Sequence, residues 1–359
     1  MLRYGMIGCG RIALAHAVAF RLLAEDGLAR LVSVADPDAA AIDRIVQIAG
    51  TVERRYASGS ELVADPGVDA VVVATPTRFH RDGILAVAAA GRPLFTEKPL
   101  APHFEAVVEI VGAVARAAIP AQVGFQARFH PIIRHLRDAV TEGRYGAPMA
   151  YAIRDDQFWP TGGVVEGHTC WRSQAAEAGG GALLEHSIHA CDVAHWLFGP
   201  VRRVHAVVRR RFGYDVEDTA ALTIEHESGV VGNLLTLFNG VQDREERRLE
   251  CFFERGVIEA TTDFLVGSPV DGLLVKAATG PAEHVDCAAL RRATFVRDGL
   301  DPDRPFAVYQ YPAHRAFLRA LERGAPPSPG VADALEAHRL VEAAYRSAAS
   351  GTPVDLGEV

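Results

Sequence analysis

The sequence predicts an α/β protein: a doubly wound parallel sheet at the N-terminus, followed by an α/β domain on a mostly antiparallel sheet. Three observations carry this. Short β-rich runs alternate with longer helical patterns over roughly the first 120 residues. The run 68–74, apolar but for Asp69, has the character of a strand buried on both faces of a parallel sheet. Beyond Gly199, strand-like runs succeed one another without helices between them.

In order, residues 3–7 read as a strand and 11–25 as a helix, then 31–35 as a strand and 38–49 as a helix. Strand 68–74 leads to a helix over 78–90, strand 94–96 to a helix over 104–118. Such alternation implies right-handed βαβ units. After 121–125 the rhythm changes: a helix near 131–141, a strand near 149–154 and a Gly-rich loop running to Gly181. Strands follow at 201–210, 219–225, 230–238, 248–253 and 257–261. Helices at 311–322 and 331–350, joined by the turn 324–330, close the chain. The expected division is 1–122 for a nucleotide-binding domain and 123–359 for a substrate-binding and oligomerisation domain.

Composition limits the function. The chain has 359 residues, a formal charge of −8 and 23% charged residues, with a pI near 6.0. This argues against a nucleic-acid surface, and Arg209–Arg210–Arg211 is too short a basic run to change that. No apolar run approaches the roughly 18 residues of a membrane helix. Gly8, Gly10 and Arg11 interrupt the stretch that could imitate a targeting signal. Cys9, Cys170, Cys191, Cys251 and Cys287 are odd in number with no CxxC pair, which favours a reducing, cytoplasmic setting.

Gly8-Cys9-Gly10-Arg11-Ile12-Ala13 lies between the first strand and the first helix. The first glycine allows a tight turn, the second lets a pyrophosphate approach the backbone, and Ala13 keeps helix and strand close. Asp36 ends the second strand, where a carboxylate grips ribose hydroxyls and repels the extra phosphate of NADP. NAD is therefore the expected cofactor, with NADP second. Thr75-Pro76-Thr77 follows the third strand, and two readings of His80 stand open: it lines the cofactor groove, or it caps the next helix.

Glu97-Lys98-Pro99 ends the next strand, where an ammonium would face the ligand crevice and stabilise a developing alkoxide. Farther on, Gly179-Gly180-Gly181-Ala182-Leu183-Leu184-Glu185-His186-Ser187-Ile188-His189 continues to Asp192 and Trp196. If a helix opens after the glycines, Glu185, His189 and Asp192 share one face, and His189 suits a proton relay. Against this, His189 could be an ordinary core histidine, and Glu185 or Asp192 an ion-pair partner of a basic residue. A metal on His186, His189 and His195 is not expected, because the spacing matches no zinc pattern and hydride transfer needs none. Asp155-Asp156-Gln157-Phe158-Trp159 through His168 offers carboxylates beside aromatic faces; Asp156, Trp159, His168 and His186 are the candidates for touching substrate.

The order GxGxxA, acidic strand end, ATPTxxxH, EKP and GGGxLxExxxHxxDxxxWLxG resembles the Gfo/Idh/MocA family of oxidoreductases. The likeness runs the whole length, through Gly124-Phe125-Gln126-Ala127-Arg128-Phe129 and Trp171-Arg172. It implies an N-terminal Rossmann domain and a C-terminal domain whose large open sheet builds homodimers or homotetramers. It also implies that Lys98 and His189 are the catalytic pair with Glu185 assisting, and that Gln126, Trp171 and Arg172 lie near the dinucleotide. Members mostly act on sugars, cyclitols and their derivatives. Two departures stand out: Glu185 where the family often has Asp, and Ser187 where it often has Gly. A carboxylate one methylene longer shifts acid/base geometry by about a carbon–carbon bond, which bears on substrate choice.

The expected function is thus hydride transfer between NAD and a hydroxyl-bearing carbon of a sugar or polyol. Two alternatives keep the cofactor: a glycosidase or lyase using transient oxidation, with Glu185 or His186 as the extra base, and a non-catalytic NAD-binding regulator.

Overall fold

Six short strands build the first sheet: β1 (Leu2–Ile7), β2 (Ala29–Ala35), β3 (Arg54–Tyr56), β4 (Ala70–Val73), β5 (Leu94–Thr96) and β6 (Ala121–Val123). In the computed structural model, which describes residues 1–158, 170–239, 246–263 and 265–359, they lie in the order β3-β2-β1-β4-β5-β6 with every pairing parallel. The chain winds one way from β1 and the other way from β4, so the loops leaving these two strands diverge. All four residues of β4 are fully buried, as its apolar character requires.

The helices of this sheet begin and end where local chemistry dictates. Arg11–Glu25 buries Ala13, His16, Ala17, Phe20 and Leu23, an apolar stripe at helical spacing with one histidine in it. Ala39–Ala49 is capped by the Asp38 carboxylate, which accepts from the Ala40 amide, and stops at left-handed Gly50 (φ 70°). This unit comprises Met1–Phe125, Ala176–Gly179 and Gln310–Leu335.

The second unit comprises Gln126–Ala175, Gly180–Tyr309 and Glu336–Val359. Its strands are β7 (Pro148–Phe158), β8 (Val201–Arg209), β9 (Thr219–His226), β10 (Val231–Asn239), β11 (Glu246–Phe253), β12 (Gly256–Thr262), β13 (Gly272–Ala277), β14 (Glu283–His284) and β15 (Val354–Asp355). Among the described residues they form one sheet, β14-β13-β12-β11-β7-β10-β9-β8-β15. The sheet is mixed but mostly antiparallel: among its described pairings only β7 and β10 run parallel. Burial alternates along β9, β10 and β11, so one face is inward and mostly apolar and the other lies open. The helix Ile188–Phe198 packs on β7 and is almost wholly buried.

The expected elements are present, with boundaries shifted by a few residues. β3, β13, β14, β15 and the helices Gly59–Ala64 and Cys287–Arg297 are additions. No helix among the described residues is long and apolar enough to cross a membrane.

Candidate active site

In the first unit, Gly8 takes φ 94°, and a Cβ there would stand 2.7 Å from the carbonyl of Ala74 and the amide of Thr75. Only glycine lets the turn after β1 lie against the turn after β4. Gly10 differs: a Cβ built there meets nothing within 4 Å. Gly10 heads the helix Arg11–Glu25, whose first turn has no side-chain cap and no acidic residue. Free amide donors, positive helix-dipole charge and open space together suit a pyrophosphate. Arg11 is exposed, Ile12 half-buried and Ala13 fully buried against the sheet. The Asp36 carboxylate accepts from the Cys9 amide at 2.8 Å and the Asp38 amide at 2.8 Å, which ties the end of β2 to the glycine turn. These residues fit a dinucleotide.

Thr75 and Pro76 are half-buried in the turn after β4. His80 is buried. Its Nδ1 lies 2.6 Å from the carbonyl of Pro99 and its Nε2 2.7 Å from that of Thr75. His80 therefore clamps the turn after β4 to the turn carrying Lys98. The Lys98–Pro99 peptide is cis, and Lys98 is half-buried.

Glu97 points into the unit. Its Oε1 lies 2.9 Å from His16 Nε2, and His16 Nδ1 lies 2.8 Å from His314 Nε2. A Cβ on Gly124 would come within 2.7 Å of both Glu97 oxygens, so that glycine leaves room for the carboxylate. The chain Glu97–His16–His314 joins the helix after the glycine turn to the strand end bearing Lys98. Burial, and then the neighbouring His16 ring, hold His314 well below the ordinary histidine range. The unfolded chain takes up a proton at His314 near pH 6.5, whereas the folded protein does not. Stability from this group is thus full above about pH 6.5 and lost as pH falls toward the depressed folded value, by up to about 1.4 kcal/mol per pH unit. Melting curves from pH 7.5 to 5.5 are expected to fall less steeply for His314→Gln than for the wild type; parallel curves would remove His314 from the acid response.

In the second unit, two of the three consecutive glycines have steric causes. A Cβ on Gly180 would lie 2.2 Å from the Tyr345 hydroxyl, and one on Gly181 1.9 Å from the Glu217 carbonyl. Gly179, which belongs to the first unit, has φ 80° and would meet the Pro102 carbonyl at 2.1 Å. Glu217 then receives the amides of Gly181 (2.8 Å) and Leu183 (2.9 Å) and the Tyr345 hydroxyl (2.8 Å). Burial raises its carboxyl above the ordinary range against the pull of those three donors.

The helix expected to open after these glycines is interrupted. Ala182–His186 forms a π turn, closed by the Ser187 amide on the Ala182 carbonyl at 2.9 Å, and the α-helix starts at Ile188. Glu185, His189 and Asp192 therefore do not follow one α-helical register. Glu185 faces Arg172 Nε at 3.4 Å, and the Arg172 guanidinium lies 5.1 Å from the centre of the Trp171 ring. Asp192 holds Arg128 with both oxygens, at 2.6 and 2.8 Å, deep in the unit. Each carboxylate thus faces an arginine, and the Arg128–Asp192 pair links the Gln126–Phe129 turn, where Gln126 is buried, to the histidine helix. His189 is buried at the start of that helix.

His186 and Ser187 both reach Asp155 on β7. Asp156, the neighbouring candidate, is buried with Arg154 Nε at 3.2 Å. Trp159 and His168 lie outside the described residues. His16 and Glu217 are site-supporting residues the motifs did not mark, and Arg128 and Asp155 stand within quoted segments that gave them no role of their own. Asp155 carried a signal nonetheless: it falls on the inward phase of Tyr151 and Ile153, where a carboxylate needs a partner.

Comparison with known proteins agrees with this architecture. Residues 2–125 match the profile described as "Oxidoreductase family, NAD-binding Rossmann fold", and residues 133–259 the GFO/IDH/MocA C-terminal domain. An inositol 2-dehydrogenase of Rhizobium meliloti is 29% identical over 99% of both chains. A myo-inositol 2-dehydrogenase of Thermotoga maritima is 30% identical over 72% of this chain and 75% of its own. A levoglucosan dehydrogenase solved with NADH shares the fold, with a TM-score of 0.88 and 24% identity over 99% of each chain. With an NAD-binding Rossmann domain, a matching C-terminal domain and relatives similar over most of their length, the chain belongs to the Gfo/Idh/MocA family of oxidoreductases.

Proposed function

We propose that this protein is an NAD(H)-dependent dehydrogenase acting on a hydroxyl-bearing carbon of a sugar, cyclitol or sugar derivative. The observation that carries the reading is the Rossmann turn itself: an uncapped helix start above an unobstructed Gly10, with Asp36 beside it. The sequence also carries the intact EKP and GGGxLxExxxHxxD motifs. The similar inositol dehydrogenases support the substrate class.

Gly8, Gly10, Arg11, Ile12, Ala13, Asp36, Thr75, Pro76, His80, Glu97, Lys98, Gln126, Trp171 and Arg172 form the proposed dinucleotide site. When bound, NAD supplies the hydride acceptor. Lys98 orients the substrate hydroxyl and stabilises the alkoxide that develops as hydride leaves. His189 takes the hydroxyl proton, assisted by Glu185. Asp156, Trp159, His168 and His186 complete the proposed substrate contacts.

Two further expectations belong to this reading. The open face of the second sheet carries a trough of about 880 Å³ lined by residues including Val207, Asn233, Leu235 and Arg248, and we assign it to self-association as a homodimer or homotetramer. Cys9, Cys191 and Cys251 are buried as free thiols, in keeping with a reducing, cytoplasmic setting.

The deciding experiment is a screen of sugars, uronates, cyclitols and nucleotide sugars for NADH absorbance. Accumulating NADH supports the reading. Turnover without net NADH would move it to transient oxidation, and no turnover or NAD binding would overturn it. In the same assay Asp36→Ala is expected to lower the NAD-over-NADP preference by about tenfold, the value of one hydrogen-bonded ribose contact. Unchanged preference would free Asp36 from the ribose role.

A further inference from the structure

One row of buried polar residues crosses the second sheet beneath the histidine motif. Thr236 on β10 and Arg247 on β11 are both register partners of Asp155 on β7. All three are almost completely buried. Asp155 Oδ2 accepts from Arg247 Nη2 at 3.1 Å and from the Ser187 hydroxyl at 2.9 Å, while Oδ1 lies 3.1 Å from His186 Nε2. Ser187 Oγ also lies 2.5 Å from Thr236 Oγ1, which in turn stands 3.2 Å from the Ala182 carbonyl. That carbonyl already receives the Ser187 amide that closes the π turn. Both ends of the turn are thus pinned to the sheet through hydroxyls and one carboxylate.

We propose that Asp155 is a positioning residue for the hydride-transfer reaction: with Thr236 and Arg247 it fixes His186 and Ser187, and so sets the register in which the π turn delivers His189. The inference rests on the proposed dehydrogenase function and assigns a role to residues which the motifs left without one. Three physical points support it. A carboxylate only accepts, so Asp155 forces His186 to carry its proton on Nε2 and selects that ring's tautomer. Burial opposes ionisation of Asp155, but Arg247 and His186 outweigh it and hold the carboxyl well below the usual range, which favours the charged acceptor. Finally, a π turn has one residue more per turn than its α-helical neighbour, and without fixed contacts it can relax by one residue. Ser187 supplies such a contact, which a glycine at that position could not.

The test compares the wild type with Asp155→Asn, Ser187→Ala and Thr236→Val. Asp155→Asn is expected to lower kcat about a hundredfold, and the two hydroxyl deletions about tenfold, because small displacements of reacting groups carry costs of that order. NADH affinity by fluorescence titration is expected to stay within about twofold, since no cofactor contact is removed. The pH profile of kcat should change shape in Asp155→Asn, and imidazole nitrogen NMR of the cofactor-free protein should show an altered His186 tautomer. A merely structural role would lower melting temperature without moving either readout. If Asp155→Asn does not fold, the two hydroxyl variants decide. Folded variants with wild-type kcat, pH profile and His186 spectrum overturn the proposal. A wild type that reduces no NAD sinks the dehydrogenase reading instead, while the NMR comparison still decides whether Asp155 governs His186.

Discussion

Replacing Lys98 with alanine is expected to lower kcat for NAD-dependent oxidation by about a hundredfold to a thousandfold, equivalent to about 3–4 kcal/mol of transition-state stabilisation. Hydride leaves a carbon most readily when its hydroxyl has begun to give up its proton. Negative charge then accumulates on oxygen only in the transition state, where a nearby ammonium is worth most. Because the ground-state substrate is neutral, most of the loss belongs in kcat rather than KM. Lys98 lies two residues past the end of β5, and the His80 clamp and the Glu97–His16 bond both bear on its turn. The variant should therefore fold and bind NADH within about threefold of the wild type, as expected when an interaction made in the transition state is removed. Lys98→Arg separates charge from shape: a planar guanidinium cannot occupy the place of a compact ammonium, and only slight recovery is expected. Steady-state kinetics with parallel NADH titration makes the distinction. Unchanged kcat in Lys98→Ala would remove the lysine from the reaction, and a collapse of NADH affinity would make cofactor binding, rather than alkoxide stabilisation, its main role.

The readability of this protein divides along physical lines. The strands β1, β4 and β5 are visible in the sequence because both of their faces are buried, which leaves little that is polar to blur the pattern. The helix Arg11–Glu25 is visible to the residue because its start is a glycine turn and its buried stripe keeps helical spacing. β3, with sequence Arg-Arg-Tyr at the edge of its sheet, has no such signature. The helix Cys287–Arg297 buries only Thr294 and Phe295, too little to impose a period on its sequence. In the site, motifs mark Lys98, His189 and the glycines but not their supports. Spacing places Glu185, His189 and Asp192 on one face only if 3.6 residues per turn hold throughout. The π turn breaks that condition, and Arg172 and Arg128 take the two carboxylates. The partners of Asp155 lie 31 and 92 positions away. Such contacts are set by sheet register, which no local pattern encodes.

His189→Ala tests the other half of the proposed chemistry, with an expected loss of about a hundredfold to ten-thousandfold in kcat, the range for removing a positioned general acid or base. As alcohol becomes carbonyl, one hydride and one proton leave the substrate; the proton needs an acceptor within hydrogen-bond reach. An imidazole serves only when neutral, so wild-type oxidation should rise with pH through the histidine range and level off above it. Carbonyl reduction should show the opposite limb, since the same ring must then donate. Removing the imidazole abolishes both limbs and leaves a profile governed by solvent hydroxide and buffer. Small exogenous bases such as imidazole should then enter the space vacated by the ring and restore part of the rate without changing NADH affinity, whereas they should do nothing for Lys98→Ala. That contrast separates proton transfer from alkoxide stabilisation within a single reaction. A His189→Ala profile that retains the wild-type inflection would assign the proton to a different residue, and His186, already oriented by Asp155, would be the next to replace.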